Sequence, residues 1–285
     1  MMTMRKKHTA AQTVMIAPTI LWLGAFLLAP LVIVVGISFM TKNAHGGVNL
    51  TLTLDAYKEM MKPDYFVIFV RSIWLAVKTA LLCLVLGYPL ASIIAKSSPS
   101  VKPILVLMVM LPFWINSMIR LYGWMTMLRT EGILNNILIA LGIIKEPLAM
   151  LYTDGAVLLG MVYELLPFAV LPLYTSIEKI DASLLEAACD LGATKRRSFI
   201  RVTLPLTMPG IFAGTIQTFI PALGLFFVSD MLGGGSSMYL GNLIKNQFLS
   251  ARNWPLGAAL SLLLIAITIV LMRLYTKVGN LDDIV

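Results

Sequence analysis

Six apolar runs dominate the sequence and restrict what it can fold into. They cover residues 14–40, 67–95, 103–127, 153–175, 206–229 and 255–276. Each run reaches the roughly 20 residues that an α-helix needs to cross the hydrocarbon of a bilayer. Charged residues make up 13% of the chain, against about 25% in soluble domains. The sequence therefore predicts an all-α membrane protein with six transmembrane helices. No long polar block remains for a second domain, so we expect one membrane domain over residues 1–285.

The first apolar run follows Arg5, Lys6 and Lys7, as the apolar part of a signal peptide would. It is too long for that role, however, and no clear small-x-small cleavage site follows it. We therefore expect residues 14–40 to form an uncleaved, peripheral first span beside a core of about residues 67–276.

The distribution of Arg and Lys predicts the orientation. These residues are enriched in the N-terminal tail, in the loops 96–102 and 176–205, and in the C-terminal tail. Because cytoplasmic loops carry the excess of basic residues, we expect both termini and the loop 176–205 to be cytoplasmic. The same pattern accounts for the net charge of +8, so nucleic acid is not predicted as a partner. Cys83 lies in a span and Cys189 in the polar loop, so we expect no disulfide between them.

The polar loop contains a segment, 181–205, that has helix signals. Ser183 and Glu186 have the spacing of a capping box, which predicts a first helix from Leu184. Gly192 suits the left-handed position just past a helix end. A second helix should begin near Thr194 and end before Pro205, because proline breaks the helical hydrogen-bond pattern.

The first of these helices is too short to be stable alone, so it needs a surface to pack on. Its apolar face can rest on the membrane domain; this face consists of Leu184, Ala188 and Leu191. The acidic face, with Glu186 and Asp190 one turn apart, remains for another partner. The simpler alternative is an ordinary amphipathic surface helix.

The spacing of several residues in this segment resembles the EAA loop of ABC-importer permeases. The pattern consists of Glu186-Ala187-Ala188, then Gly192, then Val202-Thr203-Leu204-Pro205, and it departs from the usual one only in having Val202 in place of Ile. In that family the loop forms a coupling helix that docks on a cytoplasmic ATPase subunit. The resemblance implies a coupling role for Glu186, Ala187, Ala188, Asp190, Gly192 and Ala193.

The resemblance extends over nearly the whole chain. The segments 52–57, 87–91, 111–124, 165–181, 204–211 and 229–234 are similar to those of permeases from spermidine/putrescine importers. This implies the type I ABC importer permease fold in a bacterial inner membrane. It also implies a second permease subunit, two copies of an ATPase that binds ATP and Mg, and a periplasmic polyamine-binding protein. Importers of ferric iron, sulfate or similar solutes share the fold and the loop, and they are the alternative.

The sequence has no recognisable catalytic motif. It contains no phosphate-binding loop G-x-x-x-x-G-K-[ST], no H-E-x-x-H, no Cys/His cluster and no G-x-S-x-G. We therefore expect no enzyme activity, no metal site and no cofactor in this chain. A self-sufficient carrier driven by an ion gradient commonly has internal inverted repeats, and no convincing repeat is evident here.

We expect three charged residues at membrane depth, Lys78, Arg120 and Glu164, and a fourth, Asp230, at an outer edge. Such residues are costly in lipid and usually face an interior. Lys78 and Glu164 should lie at a similar depth, about 16 Å below the outer surface at 1.5 Å per residue. They could form a pair, or Glu164 could face a pathway. Arg120 is expected to extend its side chain to the outer interface.

A pathway for polyamine cations requires carboxylates and aromatic faces that can replace water. Asp230 lies beside Phe226 and Phe227, where they could form an outer mouth. The candidate path residues are Asp230, Glu164, Trp114, Tyr122, Tyr163 and Phe227. The alternative is that Asp230 only caps the fifth span and that Lys78 neutralises Glu164. The fifth run is also rich in Pro and Gly, which favours a bent helix that lines a cavity over one that is merely closely packed.

Overall fold

The computed structural model describes residues 16–43, 46–235 and 237–278, most of which are helical. The helices are α1 (Ile16–Ser38), α2 (Asp55–Met60), α3 (Pro63–Lys96), α4 (Lys102–Met110), α5 (Ser117–Leu128), α6 (Ile133–Ala140), α7 (Asp154–Glu178), α8 (Ala182–Asp190), α9 (Lys195–Leu206), α10 (Met208–Gly224), α11 (Phe226–Gly233), α12 (Leu240–Leu249) and α13 (Trp254–Val278). Among the described residues the strands are β1 (Met40–Lys42) and β2 (Val48–Leu52), which pair antiparallel.

The predicted membrane character is confirmed. Four helices are long and apolar enough to span a bilayer: α1, α3, α7 and α13 as far as Leu274. Two further spans are bent pairs. One joins Lys102–Trp114 to Ser117–Ala140 at 87°, and the other joins α9 to α10 at 63°. With each bent pair counted as one span, the described residues contain up to six spans, the number that the sequence predicts.

The third apolar run, 103–127, is not the single helix that its hydropathy predicts. After α4 the chain tightens into a 3₁₀ turn, Leu111–Trp114, with Pro112 in its first turn. Ile115 is extended, and Asn116 then caps α5 by accepting a hydrogen bond from the Met118 N–H at 2.9 Å. The break has a local cause, since Asn is a strong helix cap.

The fifth run, 206–229, is likewise interrupted. The chain bends at Thr207, and Leu225, with φ −71° and ψ 76°, separates α10 from α11. Pro209 and Gly210 of α10 border a cavity of about 430 Å³ together with residues of α7. Gly210 also permits close packing, because a Cβ there would lie 2.6 Å from the Pro172 carbonyl oxygen. Both interpretations of the Pro and Gly content are therefore found in the structure.

The described residues form two compact units, 16–62 with 244–263, and 63–243 with 264–278. The first unit contains α1, whose most apolar stretch of 18 residues has no residue buried within the described part of the chain. In this unit the Ser38 and Tyr57 hydroxyls form a hydrogen bond of 2.8 Å.

The second unit is built on α3, α7 and α10, and it holds all of the predicted site residues. Small side chains let these helices approach: Ala76, Cys83 and Ala91 of α3, and Ala169 of α7, are fully buried. Cys83 is buried and Cys189 exposed, and both are free thiols, as predicted.

Candidate coupling segment and substrate path

Helix α8 begins two residues before the predicted start at Leu184. Its N-cap is Asp181, whose Oδ1 accepts a hydrogen bond from the Ser183 N–H at 2.9 Å. The predicted capping box of Ser183 and Glu186 is therefore wrong. Asp and Ser are both strong N-caps, and here the residue earlier in the chain takes the position. The hydrogen bonds from Ser183, the backbone one first, lower the pKa of Asp181.

The end of α8 is as predicted. Gly192 has φ +79°, in the region that favours glycine. The Ala193 N–H donates to the Ala188 carbonyl at 2.9 Å, and the Gly192 N–H donates to the Cys189 carbonyl at 2.9 Å. Such bonds satisfy carbonyls at a helix end. With a cap at each end, α8 is a short helix of defined length.

The surface of α8 is open. No residue of the helix is buried; Glu186, Ala187 and Asp190 are exposed, and Ala188 is partly buried. The apolar face does not rest on the membrane domain as predicted, since Leu184 is exposed and Leu191 is 89% exposed. The physical reason is that a groove of about 480 Å³ lies between α8 and the ends of α3 and α7. The side of α8 that lines this groove bears Leu185 and Cys189. Both the acidic and the apolar face are therefore available to a partner.

Helix α9 starts after Thr194 as predicted, and the Thr194 hydroxyl accepts a hydrogen bond from the Arg197 N–H at 3.4 Å. It does not stop before Pro205. A π-helical turn, Phe199–Thr203, widens the helix, and the Leu204 N–H donates to the Phe199 carbonyl. Pro205 then falls in the first turn of the α-helical segment Leu204–Leu206, where a missing N–H is tolerated.

The charged residues of the spans pair differently from the prediction. Arg120 Nη2 donates to Glu164 Oε2 at 2.7 Å, and both side chains are only 5% exposed. The Ser117 hydroxyl donates to the same carboxylate oxygen at 3.1 Å. Arg120 therefore does not extend to the interface. Glu164 pairs with it and not with Lys78, whose Nζ lies 5.3 Å from the centroid of the Trp74 ring.

Aromatic rings surround this ion pair. Arg120 Cζ lies 5.4 Å from the centroid of the Tyr163 ring and 5.8 Å from that of Phe113. Trp124 packs edge-on against Tyr163 at 5.6 Å. Within the described part of the chain, Glu164 Oε1 and Arg120 Nε are buried without a hydrogen-bond partner. Tyr163 and Glu164 thus belong to one cluster, as their adjacency in the sequence suggests.

The other predicted path residues have different surroundings from those of Tyr163 and Glu164. Trp114 is 75% exposed and Tyr122 is also exposed. Asp230 is half-buried and accepts a hydrogen bond from the Asn242 side chain, while Phe227 packs edge-on against Phe226 at 6.2 Å.

Sequence reasoning missed two polar contacts beside the predicted outer mouth. Asn242 also accepts a hydrogen bond from the Ser229 hydroxyl at 2.6 Å, which ties α11 to α12. The Tyr239 hydroxyl donates to Asp154 at 3.0 Å. Burial and then this carboxylate raise the pKa of Tyr239 to about 12. The signal for both was the presence of polar side chains in apolar surroundings.

Comparison with known proteins decides the family. Residues 87–280 match the family described as "Binding-protein-dependent transport system inner membrane component". The chain belongs to this family. A binding-protein-dependent transport component of the inner membrane is a multi-pass membrane protein, in agreement with the apolar helices of the structure.

Relatives of this inner membrane component are similar over almost their full length. The spermidine/putrescine transport system permease protein PotB of Salmonella typhimurium (strain SL1344) is 44% identical over 97% of this chain and 96% of its own. PotB of Escherichia coli (strain K12) is 45% identical over 94% of this chain and 97% of its own. A chain from the crystal structure of a bacterial ABC transporter involved in the import of the acidic polysaccharide alginate covers 98% of this chain and 99% of its own, with a TM-score of 0.73 and 18% identity. At that identity the likeness concerns the fold, which is that of an ABC-transporter permease.

Proposed function

We propose that this chain is one of two permease subunits of an ABC importer that takes up polyamines such as spermidine and putrescine. The observation that carries the proposal is the identity of 44–45% to PotB proteins across nearly the entire chain. The molybdenum transport system permease ModB of Mycobacterium bovis is 30% identical over 68% of this chain. The difference favours a polyamine over molybdenum as the transported solute.

The proposed assembly has four kinds of subunit in a bacterial inner membrane. This chain pairs with a second, PotC-like permease, and two copies of a cytoplasmic ATPase bind ATP and Mg. A periplasmic polyamine-binding protein delivers the substrate. In the proposed orientation both termini and α8 lie on the cytoplasmic side of the membrane, because the excess of basic residues is found in these segments. The permease itself carries out no chemical step.

The coupling role rests on the geometry of α8. It is capped at both ends, and it presents exposed Glu186, Ala187 and Asp190. The small Ala side chains allow a partner to approach closely, and the carboxylates can pair with basic residues of the ATPase. Because α8 connects through Gly192 and Ala193 to α9 and α10, movement of the ATPase would be passed to a helix of the core.

The substrate path is proposed to begin at Asp230 and Phe227. A polyamine ammonium can exchange water for the Asp230 carboxylate and for aromatic faces, each cation–π contact contributing about 0.5–2 kcal/mol. The exposed Trp114 and Tyr122, with Tyr163, extend the aromatic surface. Glu164 is neutralised by Arg120, so it contributes a charge to the path only in a state in which Arg120 releases it.

Transport by the reconstituted importer tests this function. The chain would be purified with the second permease and the ATPase, placed in liposomes, and supplied with the binding protein. Labelled spermidine, putrescine, molybdate, sulfate and ferric iron would be offered in parallel. We expect ATP-dependent accumulation of a polyamine only. Accumulation of one of the other solutes without any polyamine would reassign the substrate, and uptake without the ATPase would indicate a self-sufficient carrier.

A further inference from the structure

The first turns of α9 carry an exposed group of arginines. Arg196, Arg197 and Arg201 line a shallow cavity of about 310 Å³, together with Thr194 and Ile200. Of the described residues, none that borders this cavity is acidic. In the part of the chain that the structure describes, none of the ion pairs involves these three arginines. Three like charges gathered around one concave surface favour the binding of an anion from outside the chain.

The surface beyond the arginines changes quickly from basic to apolar. Ile200, which lines the same cavity, is 49% exposed, and Leu206 is 46% exposed. Arg201 precedes Leu206 by five residues, about 7 Å along a helix. This is close to the thickness of the headgroup region on each side of a bilayer, roughly 5–7 Å. If Leu206 and the start of α10 contact lipid chains, the arginines lie at the level of the lipid phosphates.

We infer that Arg196, Arg197 and Arg201 form a binding site for the phosphate of an anionic phospholipid headgroup. The planar guanidinium group donates paired hydrogen bonds to phosphate oxygens, and basic pockets next to membrane helices bind anionic headgroups. Ile200 contacts the apolar part of the same lipid. The inference requires only that α9 enters the membrane, and it is independent of the transported solute.

A lipid at this place would fix the position of the coupling helix. Thr194 caps α9, and only Ala193 and Gly192 separate it from Leu191 at the end of α8. Holding α9 at the headgroup level therefore limits how far α8 can move from the membrane surface.

Lipid retention tests the site in the assembled importer. The importer would be purified from membranes containing phosphatidylglycerol, and native mass spectrometry would count the retained phosphatidylglycerol. We expect Arg196→Gln/Arg201→Gln to reduce retention about tenfold or more, given the attraction of each basic group near an anionic surface. The control Lys96→Gln/Lys179→Gln removes the same charge from two other exposed residues on the same side and should retain the lipid. Arg196→Lys/Arg201→Lys keeps the charge and should lie between wild type and the Gln variant.

Four results would overturn the inference. Equal retention by the arginine variant and wild type would show that no lipid is held there, and equal loss in the Lys96/Lys179 control would show a diffuse charge effect. Displacement of the lipid by inorganic phosphate alone would identify a site for a soluble anion. Loss of the ATPase from Arg196→Gln/Arg201→Gln in nanodiscs of pure phosphatidylcholine would identify a protein-docking surface. If that variant instead keeps the ATPase but no longer responds to phosphatidylglycerol in nanodiscs, the lipid site is supported.

Discussion

Arg120 and Glu164 form a buried ion pair between α5 and α7, with 2.7 Å between Nη2 and Oε2. A charge on either side chain alone would be costly in a membrane interior. The pair therefore fixes the second arm of a broken span against one of the three core helices.

The ion pair predicts a specific pattern of rescue. Glu164→Gln leaves the buried guanidinium without its counter-ion and should destabilise the protein by about 3–5 kcal/mol. Adding Arg120→Met should restore much of the stability, because the uncompensated charge is gone. Adding Lys78→Met instead should restore nothing. Thermal unfolding of the purified assembly compares these three variants with the wild type, and rescue by Lys78→Met would show that Lys78 is the functional partner of Glu164.

The exposed acidic face of α8 predicts sensitivity to charge reversal. Glu186→Lys should leave the chain inserted but weaken its association with the ATPase about tenfold or more, since unpaired charges at a contact are costly. Co-purification of the ATPase measures the effect. Glu146→Lys makes the same change in an exposed loop far along the chain from α8 and should have no effect. Full ATPase binding and transport by Glu186→Lys would remove α8 from the coupling role.

Substitutions at Gly192 test the effect of backbone strain without the effect of steric crowding. A Cβ at this position would meet nothing within 4 Å, yet φ is +79°. Gly192→Ala should therefore cost about 1–2 kcal/mol through conformation alone, and Gly192→Val should cost more. Gly123→Ala is the matched control, because its Cβ also meets nothing within 4 Å and its backbone is helical. We expect uncoupled ATP hydrolysis from the Gly192 variants and unchanged coupling from Gly123→Ala.

The outer end of the proposed path can be tested without disturbing the fold. Asp230→Asn removes the charge but keeps an oxygen that can accept the hydrogen bond from Asn242. Uptake of labelled spermidine should slow while the assembly stays intact. Asp64→Asn removes an exposed carboxylate elsewhere and should transport at the wild-type rate. Wild-type uptake by Asp230→Asn across substrate concentrations would exclude Asp230 from the path.

The two native thiols provide a test of the proposed orientation. Cys189 is exposed on α8, and Cys83 is buried. A membrane-impermeant maleimide should therefore label the native chain in inside-out vesicles and not in intact cells. Cys189→Ser should abolish the labelling. Labelling of Cys189 in intact cells would place α8 on the periplasmic side and reverse the topology.

Local sequence signals predicted the helix ends correctly where a single residue determines the backbone conformation. Gly192 at the end of α8 and Thr194 at the start of α9 were both identified from their type and spacing. At the start of α8 two residues of cap type, Asp181 and Ser183, stood two positions apart, and spacing alone chose the wrong one.

Long-range pairing failed for a different reason. Hydropathy averages over a window, so it did not detect the break at Ile115 and Asn116. The depth estimate compared Lys78 only with Glu164, whereas the bend of 87° in the third apolar run changes where Arg120, which follows the bend, lies. Whether Asp230 and Glu164 contact a substrate depends on a partner subunit and a bound cation, neither of which a single chain specifies.

The π-helical turn Phe199–Thr203 has a mechanical consequence for the connection between α8 and the membrane core. Such a turn contains one residue more than a regular α-helical turn, and π-bulges inside α-helices are frequently found at functional sites. If the π-helical turn became a regular α-helical turn, the segment Lys195–Ser198 would rotate by about 100° relative to α10. This angle is the rotation of one residue in an α-helix, which has 3.6 residues per turn. A small change of winding in this connector would therefore rotate α8 without stretching the chain.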